Sequence, residues 1–252
     1  GMKLGMDYVK DLGVTHIQLL PVFDFGSVDE NKPQAVYNWG YDPMQYNLPE
    51  GSYSSQPNDP YARILELQEA IQAYHDADIS VIMDVVYNHV YHAEKYAFEL
   101  IVPGYFYRYD EHGMRTDGTF CGNDVASERS MVRNYIKQSV RQWLEIYGFD
   151  GFRFDLMGII DSETINQIQA ELVALHPNVY LYGEGWKMAT GLEYDKLAHQ
   201  YNAAQLPNIS FFNDDYRDTF KKLLLNPNRL IEKQLHEKVQ HLLTGSRLTH
   251  FL

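Results

Sequence analysis

The chain reads as an α/β protein of the (β/α)8 TIM-barrel type, and three observations point there. Helical and strand periodicities alternate along its length. Connections from strand to helix are long and those from helix to strand short, which places function at the C-terminal ends of the strands. No glycine-rich phosphate turn follows any strand, so a doubly wound open sheet is the less suitable architecture.

The elements follow in order. Leu4 to Leu12 is helical, with Gly13 as its stop signal. The run THIQLLPV (15–22) is a buried strand, and a loop rich in Gly, Pro, Asn and Tyr extends from Phe23 to about Pro60. Helical spacing at roughly 61–76 puts Ile64, Leu67, Ile71 and Tyr74 on one face. The strand ISVIMDVV (79–86) comes next, then a second long loop from Tyr87 to about Asp124. A helix over roughly 127–147 leads into the strand FDGFRFDL, and a helix near 161–175 into NVYLYGEG. A helix at 192–201, a strand in NISFFN (208–213) and helical sequence to about 243 complete the reading.

That makes five strands where a closed barrel needs eight. Five alone leave two open apolar edges, which a soluble sheet avoids. The expectation is an incomplete barrel, a single domain over 1–252 that is a piece of a longer protein. The rest of the same polypeptide is then needed to close the barrel.

Composition narrows the function. The formal charge is −13 and no run of Lys or Arg forms a basic stripe, so nucleic acid is not the expected partner. The one cysteine, Cys121, excludes an internal disulfide and reads as a packed or incidental thiol. No run of 18 apolar residues predicts a membrane span. The 20 Tyr, 12 Phe and 3 Trp suit stacking on sugar rings, although ordinary packing explains them as well.

Three strings at predicted strand ends carry the chemistry: DVVYNH (84–89), GFRFD (151–155) and YGEGW (182–186). Strand alternation puts Arg153 and Asp155 on one face. A guanidinium beside a carboxylate lowers its pKa and keeps it ionised, which suits a nucleophile; a structural ion pair has the same spacing. Glu184, between Gly183 and Gly185 and beside Trp186, has the surroundings of a general acid, or of a loop glutamate in solvent. Asp84 is placed to orient its neighbours and His89 to donate a hydrogen bond to a sugar hydroxyl. In YNWGYDP (37–43), Trp39 and Tyr41 offer a platform for a pyranose ring and Asp42 a ligand for hydroxyls. Two carboxylates from different strands, with an arginine and a histidine, suggest glycosidic bond cleavage.

With those strings in order, the chain resembles the α-amylase superfamily, glycoside hydrolase family 13. Within it, YNWGYDP, DLMG, LYGEGW, FFNDDYRD (211–218) and HIQLLPVFDF (16–25) are similar to the type I pullulanase group, the α-1,6 debranching enzymes. The resemblance implies a partial catalytic barrel lacking its first, seventh and eighth strands, with long active-site loops at about 23–60 and 87–124. It implies Asp155 as nucleophile, Glu184 as general acid/base and Arg153 as the residue holding the nucleophile's charge. Asp84, His89, Trp39, Tyr41, Asp42 and Trp186 then bind an α-glucan. No cofactor is required; calcium is an open question, with Asn88 as its candidate ligand. Isoamylase, branching-enzyme or α-amylase chemistry and a non-catalytic glucan-binding remnant are the competing readings. Localisation stays open between cytoplasmic and secreted, with cytoplasmic favoured. Asp78 stands where relatives end a helix with glycine, a turn that Asp tolerates less well.

Overall fold

A computed structural model describes residues 4–33 and 35–225. It has helices α1 (Gly5–Leu12), α2 (Ala62–His75), α3 (Ala97–Ile101), α4 (Ser130–Gln142), α5 (Ser162–Leu175) and α6 (Asp214–Leu225). Its strands are β1 (His16–Leu19), β2 (Ser80–Val85), β3 (Gly151–Phe154), β4 (Tyr180–Gly183) and β5 (Ser210–Phe211). They form one sheet in the order β1-β2-β3-β4-β5, every neighbouring pair parallel. A doubly wound sheet reverses its strand order at a switch point. Among the described residues this one does not.

Curvature completes the case for a barrel. Strands β1 and β4 are three places apart, roughly 14 Å across a flat sheet. Yet the Tyr182 hydroxyl on β4 donates to the Gln18 side-chain oxygen on β1. The sheet therefore curls toward a common interior. Among the described residues β1 and β5 each keep one unpaired edge, so the barrel is incomplete.

Register decides which side chains meet inside. Asp84 pairs with Arg153 and Arg153 with Tyr182, so the three stand in one row on one face. Two residues on, Asp155 and Glu184 continue that face. The alternate residues Met83, Val85, Phe152, Phe154 and Leu181 point the other way into the helix-covered core. Ile71 of α2 is buried there, and Ile64, Leu67 and Tyr74 pack against it as their spacing predicts.

Differences from the sequence reading have local causes. The strands are shorter at both ends than the apolar runs that predict them. Helix 127–147 ends as α at Gln142 and continues as a π turn, Trp143–Tyr147, to an αL stop at Gly148. The wider turn accommodates Trp143, buried, with its indole N–H donating to the Tyr46 carbonyl at 2.8 Å. In place of a helix at 192–201 there are two 3-10 turns, Tyr194–Lys196 and Gln200–Gln205; between them the Ala198 N–H donates to the Ile160 carbonyl, and the Gln200 N–H that opens the second donates to the Gly185 carbonyl. Helix α3, inside the second long loop, was not expected. Asp78 does adopt a left-handed turn, φ 57°. Cys121 is exposed rather than packed. Helical sequence beyond Leu225 lies outside the described residues.

Trp143→Ala empties the centre of the aromatic core that Phe23, Tyr147 and Phe149 share with it. It is expected to cost about 3–5 kcal/mol in urea unfolding. A loss within the error of the measurement contradicts this packing.

Candidate active site

Arg153 stands at the centre. Its Nη1 donates to Asp84 Oδ1 at 2.8 Å and to Asp155 Oδ1 at 3.0 Å, while Nη2 meets Glu184 Oε1 at 2.6 Å. One guanidinium thus holds carboxylates from the ends of β2, β3 and β4. Burial opposes its charge, but the three carboxylates outweigh that and raise its pKa. The rings of Tyr41 and Phe212 lie near the guanidinium, centroids 5.9 and 5.7 Å from its carbon.

Each carboxylate has a second anchor. Asn88 Nδ2 donates to Asp155 Oδ2 at 2.9 Å and to the Asp155 carbonyl at 2.8 Å. The Leu156 N–H donates to Glu184 Oε2 at 3.2 Å. Leu156 has φ 40°, an uncommon conformation for a leucine, and strain of that kind concentrates at functional sites. Gly158 donates to the Glu184 carbonyl at 2.9 Å, and a Cβ there would lie 1.8 Å from the Trp186 carbonyl oxygen. The close approach that ties the Glu184 loop to β3 therefore requires glycine. Asp84, fully buried, accepts from the Tyr41 hydroxyl at 2.7 Å and from Gln18 at 3.3 Å.

Burial pushes all three acids upward. Asp84 rises to about 6, with Arg153 pulling the other way. Glu184 is raised by burial, which Arg153 opposes and the charge of Asp155 reinforces. Asp155 is raised too, which corrects the expectation that its arginine neighbour sets the direction. Burial is the larger effect, and Arg153 and Asn88 only partly offset it.

The remaining expected residues divide. Trp39 and Tyr41 line one cleft of about 510 Å³, together with Tyr37, Asp42 and Tyr91. Trp39 is exposed and ready for a ligand, whereas the Tyr41 hydroxyl is committed to Asp84. Asp42 lines the same cleft, and its carboxylate also folds its own loop, accepting from the Ser27 N–H at 2.8 Å and from Asn38. His89 is likewise turned inward, Nε2 2.9 Å from the Tyr41 carbonyl and Nδ1 2.6 Å from Asn88 Oδ1. It links the Tyr41 loop to the amide that holds Asp155 and offers no ring nitrogen to substrate here. Trp186 lies apart from the Trp39 cleft, with Arg217 5.9 Å from its ring centre.

Asn88 does not fit a calcium ion, because its amide nitrogen and oxygen face Asp155 and His89. A group with metal-ligand spacing does occur elsewhere, Asp24 with Glu30 and Glu50. There Arg63 already supplies positive charge, forking onto Glu30 at 2.9 and 2.6 Å. Sequence reasoning missed Gln18, Phe212 and Arg217. Gln18 had a signal, being the one polar side chain inside the apolar run IQLL.

The family model described as the α-amylase catalytic domain matches residues 1–101. The pullulanase of Bacillus subtilis (strain 168) is 51% identical over 221 residues, 88% of this chain and 31% of that protein. The chain belongs to the α-amylase family. Other relatives in that family include pullulanase A of Streptococcus pneumoniae, 38% identical over 232 residues, 86% of this chain and 18% of that protein. Among solved structures, the pullulanase of Paenibacillus barengoltzii in complex with maltohexaose and α-cyclodextrin matches with a TM-score of 0.85 and 51% identity. It covers 87% of this chain and 34% of its own. The pullulanase of Anoxybacillus sp. LM18-11 in complex with maltotetraose matches with a TM-score of 0.86 and 52% identity, covering 87% and 32%. The chain thus spans between 18% and 34% of the lengths of these α-amylase-family proteins.

The raised pKa of Asp84 has a definite sign. An acid that holds its proton more tightly folded than unfolded contributes stability below its unfolded value of 3.8, lost as pH rises through about 6. Asp84→Asn is therefore expected to lose less stability than the parent across that window in urea melts. A pH slope as steep as the parent's contradicts the burial of this carboxyl.

Proposed function

We propose that this chain carries the catalytic acids of a glycoside hydrolase that cleaves α-1,6-glucosidic branch linkages with retention of configuration. The observation that carries this reading is the single guanidinium that grips Asp155 and Glu184 by its two terminal nitrogens. Two carboxyls drawn to one cation, at the ends of adjacent strands, are close enough to act on one bond. The linkage rests on the pullulanase relatives, and the α-glucan substrate on the aromatic cleft beside Tyr41.

In the first step the Glu184 acid gives its proton to the glycosidic oxygen while an Asp155 carboxylate oxygen attacks C1. The C1–O bond breaks and a glycosyl ester forms. In the second step the Glu184 carboxylate takes a proton from water, whose oxygen attacks C1 and releases Asp155. Asp84, Arg153 and Asn88 hold the nucleophile's orientation throughout. Side chains and water perform every step, without an organic cofactor.

Asp155→Asn is expected to abolish pullulan hydrolysis while maltooligosaccharide binding persists in calorimetry. Turnover near that of the parent rules the assignment out. Glu184→Gln is expected to lose about 10²–10⁴-fold on pullulan. It should recover most with aryl leaving groups that need no proton, and an equal loss on both substrates denies Glu184 the acid's role. Maltotriose as the pullulan product supports the α-1,6 linkage; attack on linear amylose or transfer to new branches supports a different member of the family. Binding without product indicates a glucan-binding remnant.

A further inference from the structure

One aromatic side chain near the site is held in a conformation that packing does not explain. Phe120 has φ 60° and is 85% exposed. A phenylalanine in the left-handed region is a genuine outlier, since glycine or asparagine occupies that region at less cost. Such outliers persist only where surrounding structure over-determines them. That is the situation here. The Gly122 N–H donates to Asp117 Oδ1 at 2.7 Å, and the Phe120 N–H to the Asp117 carbonyl at 3.3 Å. Asp124 accepts from the Gly118 and Thr119 N–H groups at 2.9 and 3.0 Å and from the Thr190 hydroxyl at 2.6 Å. These hydrogen bonds fix the backbone of the turn, and its apex presents an aromatic ring to solvent.

Its place in the fold gives that ring a use. Asn123 clasps Val90 by both backbone groups, accepting from the N–H at 3.0 Å and donating to the carbonyl at 2.8 Å. The Val125 N–H donates to the Asn88 carbonyl at 2.9 Å. The turn is thereby fastened to Val90 and to Asn88, whose side chain holds Asp155.

We propose that Phe120 is a stacking platform on which a pyranose ring of the α-glucan rests beside the scissile bond. A pyranose presents C–H groups on one face, which complement the negative face of an aromatic ring. The inference rests on the glucan reading above and adds a binding residue to it. The backbone that carries the ring is already fixed by hydrogen bonds when sugar arrives, so no loop ordering is required for binding.

The test uses the full-length chain in an Asp155→Asn background, which stops turnover, and a maltotriose bearing an α-1,6-linked maltotriosyl branch. Phe120→Gly and Phe120→Asn both suit the left-handed backbone and should melt no earlier than the parent. They are expected to bind this sugar about five- to tenfold more weakly, and Phe120→Trp to restore the affinity. Gly and Asn variants that bind as the parent does overturn the proposal. So does earlier melting with binding unchanged, which would make Phe120 a packing contact. A parent that binds no branched sugar defeats the glucan reading itself, and the platform with it.

Discussion

The arrangement depends on one guanidinium among three buried carboxylates. Strand register puts Asp84 and Arg153 side by side, and alternation carries Asp155 and Glu184 up to the same level of the barrel interior. Unpaired, three desolvated acids repel one another and take up protons. With Arg153 among them the cluster holds together, yet its acids stay above their ordinary range. Lysine could not do the same, because a point charge on a flexible stem cannot address two directions with separate nitrogens. The interaction also joins β2, β3 and β4 at their ends, so the site's charge balance and the local architecture are one constraint.

Around that centre the two long loops divide the work. The loop between β1 and α2 supplies the exposed ring of Trp39 and the Tyr41 hydroxyl that reaches Asp84. The loop after β2 supplies Asn88 and a turn fixed by hydrogen bonds to Asp117 and Asp124. His89 connects them, since one ring nitrogen faces the Tyr41 carbonyl and the other faces Asn88. A change in either loop therefore has a route to the nucleophile through hydrogen bonds already in place.

Much of this was legible in the sequence, because it was encoded locally. Period-two alternation sets which residues of GFRFD share a face, and the contrast between long and short connections marks the functional end of the sheet. What escaped was decided by partners far along the chain. His89 has the chemistry of a sugar ligand, but its two ring nitrogens face the Tyr41 carbonyl and the Asn88 amide oxygen. The pKa of Asp155 depends on how deeply it is buried, which spacing cannot reveal. Strand ends, the π turn at Trp143 and the 3-10 turns near 194–205 follow from tertiary hydrogen bonds. Gln18 is the instructive middle case: its polarity inside an apolar strand was visible, while the curl that brings it to Tyr182 was not.

The central claim is that Asp155, oriented by Arg153 and Asn88, is the group that bonds to the sugar. Trapping that bond tests it most directly. A fluorinated maltosyl fluoride that forms the ester faster than water removes it should label the enzyme, and peptide mass spectrometry then locates the label. The account predicts one glycosyl adduct on the peptide containing GFRFD, at Asp155. An adduct on Asp84 or Glu184, or steady turnover of the trap by enzyme that never carries the label, would contradict it.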